Sequence, residues 1–153
     1  MHYYISVPIY YESDSFEKDN VNFLFDTGAF ITVLNRDTAR RFGFGEHNIV
    51  RRDIPLTGFA GAGGTGDLLE IPGMRVGERR LKSVKVAVPH KNADTKYNII
   101  GLNVLEHFKY LIDTENEEIY LADNPNYKMP NELKCTRVLA IADIPIDVEL
   151  LVT

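Results

Sequence analysis

The fold of this chain is best predicted from residues 23–29, which read Phe-Leu-Phe-Asp-Thr-Gly-Ala. The apolar residues 23–25 are typical of a buried strand, and apolar character resumes at residues 30–34, Phe-Ile-Thr-Val-Leu. A polar turn that contains Asp26 therefore lies between two segments that we expect to be buried. Because a carboxylate is costly to place among buried segments, the pattern predicts a functional role for Asp26.

Outward from this turn, short strands dominate the sequence. Aromatic and β-branched residues predict a strand at 3–11, which forms a hairpin with 21–25 across the polar loop 12–20. Further strands are expected at 49–57, 68–76, 81–88, 97–101, 110–112 and 118–121. Short helices are expected at 36–42, with Asn35 as N-cap and Gly43 at the end, and at 102–108. This pattern favours an all-β barrel or sandwich.

Composition and charge limit the classes of protein to which the chain can belong. The chain has 153 residues, the size of one domain, and its 44% hydrophobic and 25% charged residues are ordinary for a globular protein. Its net charge of −5, with no basic block, gives no reason to expect nucleic acid as a partner. No apolar run reaches 18 residues and no secretory signal is visible at the N-terminus, so we expect no membrane span and a cytoplasmic location.

The residues that commonly bind metals are sparse. A single cysteine, Cys135, excludes an internal disulfide and a cysteine-based zinc site. The four histidines show no spacing that would place two of them on one helix face; they are His2, His47, His90 and His107. The sequence therefore predicts no metal ion and no cofactor.

A glycine-rich segment, residues 58–66, has three interpretations. Its last six residues fit the dinucleotide-binding pattern G-x-G-x-x-G, but that motif requires a following helix, and Pro72-Gly73 leaves little room for one. No acidic residue lies about 20 positions further on to hold a ribose. The segment is better interpreted as a hairpin tip that closes over a substrate, or as a plain turn.

The order and spacing of these parts resemble the retropepsin family, the single-domain relatives of pepsin. The matching stretches are residues 23–29, the flap-like Gly61-Ala62-Gly63-Gly64, and residues 98–105, Asn-Ile-Ile-Gly-Leu-Asn-Val-Leu. The resemblance covers roughly residues 3–122 and implies a closed acid-protease barrel with one or two short helices. We accordingly expect a protease domain at 1–123 and a C-terminal extension at 124–153, which either joins a dimer interface or adds strands.

The resemblance implies an aspartic endopeptidase. Asp26 is then the catalytic carboxylate, and Thr27 and Gly28 shape its loop. Asp113-Thr114 begins like a second copy of the motif, but Glu115 replaces the glycine, and the segment is interpreted as a solvated turn. The second carboxylate that the reaction needs is therefore expected from an identical subunit, which makes the protein a homodimer that binds a peptide or protein substrate.

The expected substrate-binding residues lie next to this turn and in the glycine-rich segment; they are Ala29, Phe30, Phe59, Gly61, Ala62, Gly63 and Gly64. Phe30 stands where the family usually has Ser or Asp, so it either lines an apolar subsite or fills the core. Phe59 either forms a pocket wall or packs the hairpin down. An alternative function is a catalytically silent, dimeric peptide-binding or scaffold module with the same fold.

Overall fold

A computed structural model describes residues 3–56 and 64–124 of the chain. The chain divides into two compact units, Met1–Val104 and Leu105–Thr153. The predicted division into a protease domain at 1–123 and a C-terminal extension at 124–153 stays a prediction, because residues 125–153 lie outside the described part. The predicted extension contains two apolar segments, residues 137–142 and 144–152, which lie outside it as well.

The first unit contains a closed barrel of six strands. Its strands, with a seventh that flanks the barrel, are β1 (Tyr4–Tyr10), β2 (Lys18–Phe25), β3 (Thr32–Val33), β4 (Ile49–Leu56), β5 (Gly64–Val76), β6 (Arg79–Pro89) and β7 (Asn98–Ile100). The six barrel strands follow the order β1-β2-β7-β3-β6-β5. The pairing of Ile9 in β1 with Met74 in β5 closes the barrel. Strand β4 flanks the barrel and pairs with β5. The predicted all-β barrel is confirmed.

Two parallel pairings bring the chemically interesting turns together. Strand β2 runs parallel to β7, with Phe25 opposite Ile100, and β3 runs parallel to β6. Because parallel strands finish at the same edge of a sheet, the residues that follow β2 and β7 emerge side by side. Asp26 and Gly101 are these two residues.

The barrel interior is filled by alternate residues of its strands. In β2, Val21, Phe23 and Phe25 are buried while Asn22 is exposed, as the two-residue period of a strand requires. The largest side chains with less than 2% exposure in this unit come mainly from β1, β5, β6 and β7, and they include Tyr10, Ile9, Ile71, Met74, Val86 and Ile100. Burial of these apolar surfaces is the main favourable contribution to folding.

Both predicted helices are present. Helix α1 (Arg36–Arg41) begins where the Asn35 side chain accepts a hydrogen bond from the Thr38 N–H at 2.9 Å, and Gly43 follows it with a φ of +74°. Helix α2 (Leu102–Leu105) is shorter than the expected 102–108, because the next strand begins at Phe108. Two single turns of 3-10 helix, Glu46–Asn48 and Lys91–Ala93, were not expected.

The strand boundaries differ most from expectation at three places. Strand β2 begins at Lys18 instead of residue 21, because its polar residues continue the pairing with β1 as far as Tyr10. Strand β5 begins at Gly64, inside the glycine-rich segment. In the apolar segment 30–34, only Thr32–Val33 forms a strand, because the residues before it belong to the Asp26 turn and the residues that follow it.

The described part of the second unit is a hairpin. Strands β8 (Phe108–Asp113) and β9 (Glu118–Asp123) are antiparallel, with Tyr110 opposite Leu121, which confirms the hairpin predicted from the sequence. Within residues 3–56 and 64–124, no helix has the length and apolar character to cross a membrane.

The substitution Asn98→Ala is expected to destabilise the first unit. The Asn98 amide oxygen accepts from the Asn35 N–H at 2.9 Å, and its amide nitrogen donates to Thr38 Oγ1 at 3.0 Å, so Asn98 ties β7 to the start of α1. Losing both partly buried hydrogen bonds should lower the free energy of unfolding by about 1–3 kcal/mol, measured by urea denaturation. The control, exposed Asn92→Ala, should change it little; equal losses in the two variants would contradict the prediction.

Candidate active site

The Asp26 turn follows directly on β2 and is closed by its own hydrogen bonds. The Asp26 N–H donates to the Ile100 carbonyl at 3.1 Å, which extends the parallel pairing by one residue. The Asp26 carboxylate oxygen Oδ1 accepts from the Gly28 N–H at 2.8 Å, and the Ala29 N–H donates to the Asp26 carbonyl at 3.3 Å. The direction of the carboxylate is therefore set by the backbone of the turn itself.

Gly28 leaves room for that carboxylate. A Cβ at this position would lie 3.2 Å from Asp26 Oδ1, which is tighter than an ordinary contact. A side chain here would push the carboxylate away from the N–H that holds it. The glycine predicted to shape the loop thus has a steric reason to be there, although its role in a reaction stays a prediction.

A second turn, residues 101–103, forms hydrogen bonds with the residues that follow the Asp26 turn. The Leu102 N–H donates to the Ala29 carbonyl at 2.8 Å, and the Asn103 N–H donates to the Phe30 carbonyl at 3.2 Å. A Cβ at Gly101 would meet the Ile31 carbonyl oxygen at 2.7 Å and that of Ala29 at 2.8 Å. The two turns therefore touch backbone to backbone.

Two polar side chains that the sequence reasoning assigned no role, Thr32 and Asn103, complete this contact. The Asn103 oxygen Oδ1 accepts from both the N–H and the hydroxyl of Thr32, each at 2.8 Å, and the Asn103 amide donates to the Lys85 carbonyl at 2.8 Å. The Thr32 hydroxyl in turn accepts from the Gly101 N–H at 3.1 Å. Thr32 is fully buried, and a threonine inside the apolar run 30–34 was the available signal for such a bond.

The residues of the Asp26 turn are partly accessible to solvent. Asp26, Thr27 and Ala29 are half-buried, and Gly28 is exposed. Phe30 is 58% exposed, so the interpretation of Phe30 as a core residue is wrong. Phe30 lies four residues after Asp26 in the chain and exposes an apolar ring to solvent.

The glycine-rich segment connects the two strands of a hairpin. Strands β4 and β5 are antiparallel, and Leu56 lies opposite Gly64. Gly64 is half-buried and begins β5, so a strand and not a helix follows the glycines, which confirms the rejection of the dinucleotide interpretation. The other predicted substrate-binding residues of this segment, Phe59, Gly61, Ala62 and Gly63, lie outside the described residues.

Asp113 has a structural role. Its carboxylate accepts from the backbone N–H groups of Glu115 and Asn116, both at 3.1 Å, and from the Asn116 side chain at 2.7 Å. These hydrogen bonds from Asn116 hold the pKa of the Asp113 carboxyl below its ordinary value. Asp113 thus stabilises the turn between β8 and β9, which agrees with the turn predicted at this position from the sequence.

Solved structures with the same fold define the class. The chain resembles a retropepsin-like aspartic protease from Rickettsia conorii with a TM-score of 0.53 and 21% identity over 74% of this chain and 77% of that one. It also resembles the EIAV protease complexed with the inhibitor HBY-793, with a TM-score of 0.52 and 20% identity over 69% and 86% of the two chains. A third match is the retroviral protease-like domain of Ddi1 from Leishmania major, with a TM-score of 0.50 and 20% identity over 87% and 98%. The fold is therefore that of the retropepsin-like aspartic proteases.

The sequence itself specifies the family. Residues 15–107 match the model of the gag-polyprotein putative aspartyl protease family, and the chain belongs to that family. The match includes the Asp26 turn, the β4–β5 hairpin and the turn at Gly101. The retropepsin-like membership predicted from the sequence is confirmed. No curated protein matches the chain in sequence.

The substitution Gly101→Ala is expected to disturb the Asp26 turn. Its new methyl group would collide with two backbone oxygens, which cannot rotate away, so the contact between the turns must open. Overpacking of this kind should lower the free energy of unfolding by about 1–3 kcal/mol. Gly45→Ala is the matched control, because a Cβ there meets nothing within 4 Å. Urea denaturation of both variants checks this; an unchanged stability of Gly101→Ala would contradict it.

Proposed function

We propose that this protein is an aspartic endopeptidase that acts as a homodimer and hydrolyses peptide bonds with a water molecule activated between two Asp26 carboxylates, one from each subunit. The observation that carries the proposal is the half-buried Asp26 carboxylate, held by the Gly28 N–H at 2.8 Å on an edge of the family's barrel. The family membership of the chain supports the same chemistry.

The chemistry follows from the repulsion between two adjoining carboxylates. Two such groups cannot both ionise readily, so they share one proton, as is established for the dyad of aspartic proteases. The ionised carboxylate takes a proton from the attacking water, while the protonated one donates to the carbonyl oxygen of the peptide. When the tetrahedral intermediate collapses, the protonated carboxyl gives its proton to the departing amine and the ionised one takes a proton from a hydroxyl of the intermediate, so the pair again shares one proton.

A two-fold axis supplies the second carboxylate. The sequence contains a single Asp-Thr-Gly, and the carboxylate of Asp113 is engaged in its own turn. In a symmetric dimer, residues at the axis meet their own copies, which is the arrangement that a carboxylate pair needs. The exposed Gly28, with no side chain, is compatible with close approach of a second subunit to Asp26.

The substrate would bind as an extended peptide between the two Asp26 turns and the β4–β5 hairpins. In this proposal the glycines at 61–64 give the hairpin tip the backbone freedom to close. Ala29, Phe30 and Phe59 would contact the peptide. The exposed ring of Phe30 replaces the polar residue usual in the family, so we expect a preference for apolar substrate side chains next to it.

The substitution Asp26→Asn is expected to abolish peptide cleavage while the fold is retained. The amide has the shape of the carboxylate and can still accept a hydrogen bond from the Gly28 N–H, but it cannot take up or release the proton that the reaction transfers. Cleavage of a broad peptide library should fall by at least about a hundredfold, as expected on losing the group that transfers protons in the reaction. Equal cleavage by the wild type and the variant would exclude the mechanism. Peptide binding without cleavage by the wild type would instead favour a catalytically silent module.

The shared site is tested by mixing the two proteins. Excess Asp26→Asn subunits should reduce the activity of a fixed amount of wild type, because exchange converts active dimers into mixed dimers with one carboxylate. Asp113→Asn subunits serve as the matched control and should not reduce it. Activity that is unaffected by excess Asp26→Asn, while native mass spectrometry with one isotope-labelled subunit shows mixed dimers, would contradict a site built from two chains.

The substitution Phe30→Ala is expected to change substrate preference more than the rate of the chemical step. Removing the ring takes away apolar contact, so KM for peptides with large apolar residues should rise by about tenfold with a smaller change in kcat. Phe16→Ala is the control, because Phe16 is also exposed, at 85%, but belongs to the loop before β2. A Phe30→Ala variant with an unchanged cleavage profile would exclude Phe30 from substrate recognition.

A further inference from the structure

Three side chains of metal-binding types converge beside the β4–β5 hairpin. Asp53 belongs to β4, Asp67 to β5, and His90 follows β6 directly. Each offers one ligand atom, and these three atoms lie within 4.8 Å of one another. The His90 nitrogen Nε2 is 3.1 Å from Asp67 Oδ1 and 3.6 Å from Asp53 Oδ1.

An irregularity in the hairpin directs Asp53 toward this point. Arg51 pairs with Leu68 and Ile54 with Gly66, so two residues of β4 face Asp67 alone. Asp53 is one of the two, and its φ of +54° lies in the left-handed region. Such a bulge turns a side chain away from the regular pleat. The Asp53 N–H donates to Asp67 Oδ1 at 3.1 Å, which fixes the two aspartates against each other.

His90 is held so that its other nitrogen faces the two carboxylates. Its backbone N–H donates to the Thr65 carbonyl at 2.9 Å, and Thr65 Oγ1 lies 2.8 Å from Nδ1 of the ring. The ring can donate from Nε2 to Asp67 or from Nδ1 to the threonine hydroxyl. A cation on Nε2 requires the second tautomer, in which the lone pair of Nε2 faces Asp67 and Asp53. A histidine that binds a metal is commonly oriented by a hydrogen bond of this kind on its second nitrogen.

The charges at this point favour a cation. Two carboxylates face a single imidazole. Arg52, the neighbouring base on β4, forms its ion pair with Glu46 and acts on Asp67 only through its charge, without a direct contact. The side chains of Asp67 and His90 are only 20% and 30% exposed, so solvent neutralises the carboxylates incompletely. The Asp53 side chain is 76% exposed and leaves one side of the cluster open to water.

We propose that Asp53, Asp67 and His90 bind one divalent transition-metal ion, for which Zn²⁺ is the best match. Zinc bonds to nitrogen and oxygen of about 2.0–2.2 Å place neighbouring tetrahedral ligands about 3.3–3.6 Å apart, close to the distances between Nε2 and the two carboxylates. The imidazole disfavours Ca²⁺ and Mg²⁺, and the carboxylates disfavour Cu⁺. The fourth position faces solvent and takes a water molecule. This proposal departs from the sequence-based expectation of no metal, and it is independent of the peptidase activity.

The ion would link three elements at the stem of the hairpin. Bonds to Asp53, Asp67 and His90 join β4 and β5 to the segment that follows β6. An ion that binds the folded chain and not the unfolded one stabilises the fold as its concentration rises above Kd. Zinc should therefore raise the melting temperature of the protein, and this effect should depend on all three side chains.

Isothermal titration calorimetry and thermal melts with ZnCl₂ test the proposal. The protein is the full chain without an affinity tag, treated with a chelator and dialysed, with Cys135→Ser to remove the thiol. The variants are Asp67→Asn, Asp53→Asn and His90→Asn. The first keeps an oxygen that accepts from the Asp53 N–H, and the second suits the left-handed backbone. His47→Asn, an exposed histidine outside the cluster, is the matched control.

The expected result is one Zn²⁺ per chain, with a Kd that rises at least tenfold in Asp67→Asn, Asp53→Asn and His90→Asn and stays the same in His47→Asn. Thr65→Val should also weaken binding, by about tenfold, because it removes the partner of Nδ1. The absence of zinc binding would mean that His90 and Asp67 form an ordinary hydrogen bond, and it would overturn the proposal. Binding that is equally tight in the three cluster variants would overturn it as well.

Discussion

The position of the Asp26 carboxylate depends on one contact, in which the turn after β2 packs against the turn after β7. Parallel pairing of these strands brings Asp26 N–H to the Ile100 carbonyl at 3.1 Å, and Gly101 fits only because it has no Cβ. Thr32 and Asn103 then close the contact with hydrogen bonds of 2.8 Å. Since these groups belong to the backbone or are held by it, the carboxylate has a defined position on the barrel, which is what its proposed catalytic role requires.

Much of the fold could be predicted from the sequence, because local patterns determine it. Alternating burial marks β1 and β6, a side-chain cap at Asn35 and a left-handed Gly43 delimit α1, and the acidic turn at Asp113 joins β8 to β9. These signals depend on residues a few positions apart. The Asp-Thr-Gly turn was found in the same way, as a polar interruption between two apolar segments.

The rest could not be predicted because it depends on residues far apart in the chain. Thr32 and Asn103 are 71 positions apart, and Asp67 and His90 are 23 apart, so no local pattern shows that they touch. Histidine spacing predicted no metal site, whereas the fold adds two aspartates to a single histidine. The early start of β2 has the same origin, because its polar residues are paired by β1 and not by hydrophobic burial.

The barrel thus presents one fixed carboxylate, a glycine that permits close approach and an exposed phenyl ring on the same turn. A carboxylate pair needs two groups to share a proton, so the account depends on a second subunit that supplies the other Asp26. The most direct measurement is a crystal structure of the assembly that the protein forms in solution. The account predicts that the two Asp26 carboxylates meet across a two-fold axis with an oxygen–oxygen distance of about 2.5–3.0 Å, as a shared proton requires. Two Asp26 side chains on separate surfaces of that assembly would contradict it.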